Sequence, residues 1–464
     1  MSLVAGVDSS TQSVKVVVTD PATGAVIRTG RATHPDGTEV SAEAWWRAYL
    51  EATADPALLD GVAAIAVGGQ QHGMVTLDDD GALVRDAMLW NDNQSAPDAL
   101  DLIDELGGRA EWARQLGTVP VASVTVTKLR WLQRVEPDRA ERTRAVILPH
   151  DYLTWKLGAG SFAPVTDRGD ASGTGYFDAA TNRYRHDLVR LALGHDLELP
   201  RVAAPDEVVG HTPDGIAIAP GTGDNMAGAL ALGVGSGEAI VSLGTSGTAY
   251  TRAEQQSHEP TGTVCGFADA TGRFLPLVCT LNCARNLEAT AALLRVDLDE
   301  FSRLATTAPA GAEGLTFMPY LDGERTPPLP QATGELLGIT RTNLTPENLA
   351  RAAIESVLWS LAYGIEVLAE QTGRIGRITL TGGAAQSPAV QRIAAAVMGR
   401  PITITEPFES VAMGAARQAA WALSGELPDW KVPVANEIEP TVADLEAHQE
   451  ISERYRSALA SHYS

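Results

Sequence analysis

An aspartate framed by glycines, Asp224 in Gly221-Thr222-Gly223-Asp224-Asn225, stands before a run of small residues that reads as a helix. A carboxylate in such a turn can take a proton from a hydroxyl while the Asn225 amide positions the group. Asp is equally at home there as the N-cap of the helix it precedes. Just beyond, a strand from Glu238 to Leu243 opens into Gly244-Thr245-Ser246-Gly247 and comes straight back, the pattern of a hairpin. The chain begins the same way: Leu3 to Val7 runs into Asp8-Ser9-Ser10-Thr11-Gln12-Ser13 and returns through Val14-Lys15-Val16-Val17-Val18. Small hydroxyl-bearing turns let backbone N–H groups approach phosphate oxygens, Lys15 adds a cation, and Asp8 can hold magnesium through water. Met alone, a serine-rich hairpin is also simply a hairpin, and no GxxxxGK[ST] loop occurs in the chain. Two such hairpins about half a chain apart point to two similar domains facing one another, with Asp224 where they meet.

Three further stretches carry polar side chains at the ends of apolar runs. Thr381-Gly382-Gly383-Ala384 follows the short strand Ile378 to Leu380 and precedes a helix capped by Ser387-Pro388. Its glycines permit close approach of a flat ring or a ribose, and the helix start offers free N–H donors, although such a turn also serves purely structural ends. Gln71-His72 follows Gly68-Gly69-Gln70, and Trp90-Asn91-Asp92 follows another apolar run. Amides, imidazole and indole are what a polyol needs: donors, acceptors and a flat apolar wall. The segment 163–178 is polar and turn-rich, the composition of a working loop rather than of a core element.

The elements that must position these groups alternate. A meander over residues 3–30 precedes a helix with Trp45, Trp46, Tyr49 and Leu50, then a buried strand from Val62 to Val67. Residues 98–140 are helix-rich, with Leu129, Trp131 and Leu132 as core, and a strand from Ala145 ends in Pro149-His150-Asp151-Tyr152. In the second half, Thr345 reads as the N-cap of a long helix with Pro346 at its first position, and a last helix spans about 440–462. Hairpin strands mixed with crossover helices predict an α/β layer with a mixed sheet. The expected domains are 1–233 and 234–464, joined by a tight hinge near 233–237.

At 464 residues the chain exceeds what one core usually serves. A net charge of -23 argues against nucleic acid and against an anionic membrane surface, both of which want a basic face. Cys265, Cys279 and Cys283 form no metal-ligand spacing, and their odd number fits a reducing compartment. Cys279 and Cys283, four apart, could share a helix face and read as small buried hydrophobes. The first strand ends at charged Asp8, so no signal peptide is expected. No apolar run nears the roughly 18 residues of a membrane span, and a cytoplasmic protein is expected.

Together these motifs resemble the FGGY family of carbohydrate kinases and, within it, the xylulokinases, from Gly6-Val7-Asp8 to about Gly414-Ala415-Ala416. The family's catalytic aspartate lies in a G-x-G-D-N pattern, matched at 221–225; its sugar-contacting His follows a glycine-glutamine pair, matched at 69–73. W-N-D matches Trp90-Asn91-Asp92, D-A-S-G-T matches residues 170–174, and Gly323 to Pro327 also resembles the family. The resemblance implies two ribonuclease-H-like domains of the actin and hexokinase ATPase type, with mixed sheets flanking a central cleft. It implies ATP with Mg2+ as cofactors and phosphorylation of a ketopentose, D-xylulose above others. Asp224 would be the base; Gln71, His72, Trp90, Asp224 and Asn225 would face the sugar. Thr11, Lys15, Gly244 and Thr245 would surround the phosphates, Gly382, Gly383 and Ala384 would hold the adenosine, and Asp8 and Asp224 would hold the metal. The partners are a small-molecule sugar and ATP, with no nucleic acid and no membrane, and a homodimer left open. Other sugars or polyols (ribulose, a pentitol, gluconate, glycerol) remain within the same pattern. An actin-like ATPase or a sugar-sensing regulator is the alternative from another class. Three positions depart from the family: Ser10 replaces the glycine of D-x-G-T, Gln71 a methionine, and Gln94 an arginine.

Overall fold

The computed structural model describes residues 2–463. The chain divides into two compact units: Met1–Gly233 with Glu254–Leu275 and Glu409–Val432, and Val234–Ala253 with Pro276–Phe408 and Pro433–Ser464.

The first unit is built on a mixed sheet ordered Gly210–His211, Ala217–Ile218, Val62–Gly69, Leu3–Ser9, Ser13–Thr19, Val26–Thr33, with Thr222–Gly223 also paired to Val62–Gly69. Leu3–Ser9 is antiparallel to Ser13–Thr19 and parallel to Val62–Gly69, the hairpin-plus-crossover arrangement expected. These three strands are buried on both faces, which explains their apolar runs, while the edge strand Val26–Thr33 is largely exposed. Ala5, Val7, Ile65 and Val67 pack with Trp45 and Tyr49 of helix Ala42–Ala52. The alternate residues Val4, Ala64 and Ala66 pack instead with Ala412, Ala415, Ala416 and Ala419. That second face is made of small residues so that helix Ser410–Ser424 can lie close. A Cβ at Gly6 would overlap the Ala412 carbonyl, and one at Gly414 would overlap the Ala227 carbonyl of helix Asp224–Leu232. A separate core of Trp112, Leu129, Trp131 and Leu132 holds the helices Ala96–Glu105, Arg109–Leu116, Thr125–Val135 and Pro137–Arg142.

The second unit carries a mixed sheet whose strands run in the order Phe274–Thr280, Gly247–Thr251, Glu238–Leu243, Arg377–Thr381, Ile402–Thr405, Val434–Ile438. The helix Pro346–Thr372 starts as predicted: Thr345 accepts a hydrogen bond from the Asn348 N–H. By length and composition this helix could cross a membrane, which the reading of apolar runs missed, but most of it is buried inside the protein.

The segments 254–275 and 409–432 pack with the first compact unit, where their bonds go. Gln256 Nε2 donates to the Leu116 carbonyl (2.8 Å), Ala268 N–H to Ser172 Oγ (2.9 Å), Arg417 Nη1 to the Leu230 carbonyl (2.6 Å) and Trp430 Nε1 to the Pro21 carbonyl (3.0 Å). The segment 163–178 is no surface loop: it forms strand Val165–Asp167 and short helix Arg168–Ala171, and Asp167, Asp170, Ser172 and Thr174 are buried. The Ser172 and Thr174 hydroxyls and the Asp167 carboxylate are turned inward onto backbone C=O and N–H groups and Asp170 pairs with His150, which makes a polar sequence compatible with burial. Cys279 lies in strand Phe274–Thr280 and Cys283 just before helix Ala284–Leu294, so they share no helix face. Ser387 precedes helix Pro388–Met398 without a capping bond; its hydroxyl meets Ser302 Oγ at 3.2 Å instead.

Candidate functional site

In the first unit, three parallel strand ends coincide. Asp8 is in register with Gly68 and Ser9 with Gly69, while Thr222 and Gly223 pair with the same Gly68 and Gly69. Asp8, the turn from Gln70 to His72, and Asp224 therefore leave the sheet at one edge, the carboxyl ends of the strands where α/β sheets bind ligands. Asp224 is the first residue of its helix and Gly223 is the N-cap, so the capping role does not describe it. Its carboxylate accepts from the Asn225 N–H at 2.7 Å and from Asn225 Nδ2 at 2.9 Å. The side chain reaches solvent but is packed round by protein. Desolvation, with the charges of Asp170 and Asp8, pushes its pKa up to about 7 against the pull of the Asn225 bonds. A carboxyl so placed accepts a proton near neutral pH.

Asn225 Nδ2 also donates to Gln71 Oε1 at 2.9 Å, which joins two of the expected sugar contacts to the base. Gln71 Nε2 is buried with no hydrogen-bond partner among the described residues, and so is Asn91 Oδ1. Buried polar atoms are normally paired, so the donor left over on Gln71, which is linked through Asn225 to the base, is what a polyol ligand would use. His72 sits at φ 67°, uncommon for a residue with a Cβ, and its Nδ1 lies 2.8 Å from the Gly173 carbonyl. A Cβ at Gly173 would lie 2.6 Å from the imidazole, so the glycine of the D-A-S-G-T stretch is there to let the ring approach. The Phe267 ring, from the returning segment, stands 5.6 Å from the His72 ring.

Trp90 Nε1 donates to Thr11 Oγ1 at 2.9 Å. Because an indole N–H can only donate, the Thr11 oxygen is the acceptor and its own proton is free to donate onward. A residue expected to face the sugar thereby orients one expected to face phosphate. Ser10 donates to Asp8 Oδ1 at 2.6 Å, a bond the family's glycine could not make, and it is not among the described residues with positive φ. Burial raises the Asp8 pKa, while Ser10 and Lys15 oppose the shift. Lys15 Nζ lies 3.7 Å from Asp8 and 2.6 Å from Glu409, so the lysine expected among the phosphates is here held by a carboxylate. Gln94 Nε2 donates to Glu39 and Asp92, which commits its side chain within the protein.

In the second unit, Gly244, Thr245 and Ser246 form the turn between Glu238–Leu243 and Gly247–Thr251, whose strands pair in register. Ser242 is in parallel register with Thr381, so Gly382, Gly383 and Ala384 leave the sheet beside that turn. Gly382 has φ 94°, and a Cβ there would lie 2.7 Å from the Leu243 carbonyl oxygen. Gly383 opposes nothing within 4 Å, leaving its backbone open to a ligand. The structure thus brings together Asp8, Thr11, Lys15, Gln71, His72, Trp90, Asp224 and Asn225 in the first unit. It gathers Gly244, Thr245, Gly382, Gly383 and Ala384 in the second.

Residues 3–231 match the N-terminal domain, and residues 239–423 the C-terminal domain, of the FGGY family of carbohydrate kinases. The chain belongs to that family. It is 45% identical over 445 residues to a xylulose kinase of Streptomyces rubiginosus, covering 92% of this chain and 89% of that one. A solved xylulose kinase from Bifidobacterium adolescentis is 43% identical, with a TM-score of 0.89 over 97% of this chain and 99% of that chain. A gluconate kinase structure from Lactobacillus acidophilus reaches a TM-score of 0.91 over 100% and 99% of the two chains at 23% identity, which shows the fold alone. As an FGGY carbohydrate kinase, the chain is a phosphotransferase acting on a sugar. The sequence patterns led to most of the gathered residues; Phe267 and Glu409 escaped them because each acts through a contact distant in sequence.

Proposed function

We propose that this FGGY kinase transfers the γ-phosphoryl group of ATP to the terminal hydroxyl of D-xylulose, with Asp224 as the general base. The observation that carries the reading is the Gln71–Asn225–Asp224 chain of bonds, with the unpaired Gln71 Nε2 beside it; the identity to xylulose kinases points to the sugar. Gln71, His72 and Asn225 orient the sugar, and Trp90 walls it. Asp224 accepts the hydroxyl proton as the sugar oxygen bonds to phosphorus and the bond to the ADP oxygen breaks. Such transfers rest on positioning and charge neutralisation rather than on covalent chemistry with the protein.

Thr11, Lys15, Gly244 and Thr245 would donate to the phosphates, and the open backbone at Gly383, with Gly382 and Ala384, would take the adenosine. Asp8 and Asp224 would hold magnesium. Among the described residues no group of three His, Cys, Asp or Glu forms a metal cage. Two carboxylates suit magnesium, which keeps waters and substrate phosphates as its remaining ligands. When bound, that ion neutralises charge on the phosphates and favours the ionised form of both carboxylates.

The test is ADP release across D-xylulose, L-xylulose, D-ribulose, D-arabinitol, xylitol, glycerol and gluconate, for the native chain and Asp224→Ala. D-xylulose should lead the panel, and the variant should lose roughly 10²–10⁴-fold in kcat with its Tm retained. Another sugar in the lead would overturn the substrate and leave the base assignment standing. An active Asp224→Ala would overturn the base.

A further inference from the structure

Behind the site, and used by none of the steps above, lies a fully buried histidine among three carboxylates. His150 is the second residue of helix Pro149–Leu157 and has no exposed surface. Its Nδ1 lies 2.6 Å from Asp170 Oδ2, and its Nε2 lies 3.2 Å from Asp151 and 3.9 Å from Asp167. The residue also fills the space between two glycines, with its Cβ and backbone against one and its ring against the other. A Cβ at Gly69 would lie 2.8 Å from His150 Cβ, and one at Gly221 would lie 2.9 Å from its Cδ2. Gly69 ends the strand that leads into Gln70-Gln71-His72, and Gly221 opens the turn that leads into Asp224.

The bond to Asp170 closes the set. Asp170 starts the stretch that ends at Gly173, whose carbonyl meets His72 Nδ1. Asp167 accepts from the Gly169 and Asp170 N–H groups at 2.8 and 2.9 Å and from Thr222 Oγ1 at 2.7 Å, two residues before Asp224. One residue therefore packs against the strand end before the sugar turn through its Cβ and backbone, and its imidazole meets the base turn and the loop that seats His72.

We propose that His150 is a positioning residue for phosphoryl transfer: bonded to Asp170 and wedged between Gly69 and Gly221, it holds the Gln71–His72 turn, the Asp224 turn and the 170–173 loop in one register. The inference rests on the assignment of Asp224 as base and of Gln71 and His72 as sugar contacts. Burial alone would push the imidazole pKa down, but Asp151 and Asp170 bring it up to about 9, so the ring is charged at neutral pH and Nδ1 donates to Asp170. Near-attack geometry is sensitive to displacements of about 1 Å, so loss of this clamp should fall on the sugar side of the kinetics.

Three variants separate the bond from the bulk. The amide nitrogen of His150→Asn falls near Nδ1 and can still donate to Asp170; that of His150→Gln falls near Nε2 and cannot; Asp170→Asn keeps the shape and removes the charge. Initial rates with D-xylulose and ATP should show His150→Gln and Asp170→Asn losing roughly 10²-fold in kcat/KM for the sugar, with the KM for ATP unchanged. His150→Asn should retain most of the native value. If His150→Gln fails to fold, Asp170→Asn carries the same expectation. Unchanged kcat/KM in whichever of the two folds overturns the proposal. So does a fall in kcat alone with both KM values native and Asn no better than Gln, the mark of a smaller folded fraction. Asp224→Ala, measured alongside, tells the two failures apart: if it is active the base assignment falls, and if it is silent while His150→Gln is native only the positioning role falls.

Discussion

The two sheets of the molecule repeat one plan and spend it differently. In the first unit the order Ala217–Ile218, Val62–Gly69, Leu3–Ser9, Ser13–Thr19, Val26–Thr33 matches, strand for strand, Ile402–Thr405, Arg377–Thr381, Glu238–Leu243, Gly247–Thr251, Phe274–Thr280 in the second. The hairpins are antiparallel and each first strand is parallel to its crossover neighbour in both. The turns that leave the equivalent crossover strands are Gln70-Gln71-His72 in one case and Gly382-Gly383-Ala384 in the other. One carries long polar side chains with atoms left unpaired, and the other carries glycines whose backbone is bare. The same contrast holds between the hairpin turns. The first gathers Asp8, Ser10, Lys15 and the Trp90–Thr11 bond; the second is Gly244-Thr245-Ser246-Gly247 without a charge. A shared topology thus presents polar side chains at one turn and bare backbone at the other.

A pair of glycine substitutions tests that contrast most strongly. At Gly414 a methyl group would overlap the Ala227 carbonyl of the helix that begins at Asp224. Gly414→Ala should destabilise the first unit by about 1–3 kcal/mol or more, seen as a lowered Tm. At Gly383 nothing lies within 4 Å and φ is -61°, so Gly383→Ala should leave Tm unchanged and raise the KM for ATP. If Gly383→Ala instead lowers Tm with native KM values, the bare-backbone reading of the second turn fails.

A smaller effect should come from Trp90. Trp90→Phe keeps a flat apolar wall for the sugar and deletes the donor to Thr11. One neutral hydrogen bond contributes about 1 kcal/mol, so the KM for ATP should rise roughly three- to tenfold with the sugar KM little changed. Trp90→Phe should give no further rise when added to Thr11→Val, which already removes both the acceptor of the indole and the donor to phosphate, if Trp90 acts through Thr11; a double-mutant cycle reads this directly. A rise confined to the sugar KM would detach Trp90 from the phosphate turn.

Where local pattern decides structure, the sequence was legible. The alternation of apolar runs and hydroxyl-bearing turns located both hairpins, Thr345-Pro346 marked the start of the long helix, and the glycine-framed Asp224 stood out. What was not legible depends on contacts far apart along the chain. Nothing local says that residues 254–275 and 409–432 return to the first unit, since that follows from bonds such as Gly266 N–H to the Gly117 carbonyl. The 163–178 stretch reads as solvent-facing because its polarity is visible while the partners that satisfy it, Thr222 and His150 among them, are not. His150 looked like an ordinary strand-end residue, and only the folded chain places it against Gly69 and Gly221.

The smallest expected effect distinguishes the two units by pH. His150 has its folded pKa raised to about 9 from 6.5. Its contribution to stability is therefore complete below about pH 6.5 and is lost as the pH rises through about 9. Asp151 and Asp167, pushed by burial up to about 7 and about 6, have the same sign but release their contribution lower, from the ordinary carboxylate range upward. In the second unit the buried Glu324 and Glu355 are also raised by burial, starting from 4.5. Between pH 6.5 and 9 the first unit should therefore soften more than the second. Thermal unfolding of the native chain should show Tm falling across that window, and His150→Gln should flatten the fall. Hydrogen exchange at pH 7 and pH 9 would place the softening. Increased exchange around 69–72, 149–157 and 221–225 is expected, whereas a uniform increase over both units would assign the change to the chain's net charge instead of to the imidazole.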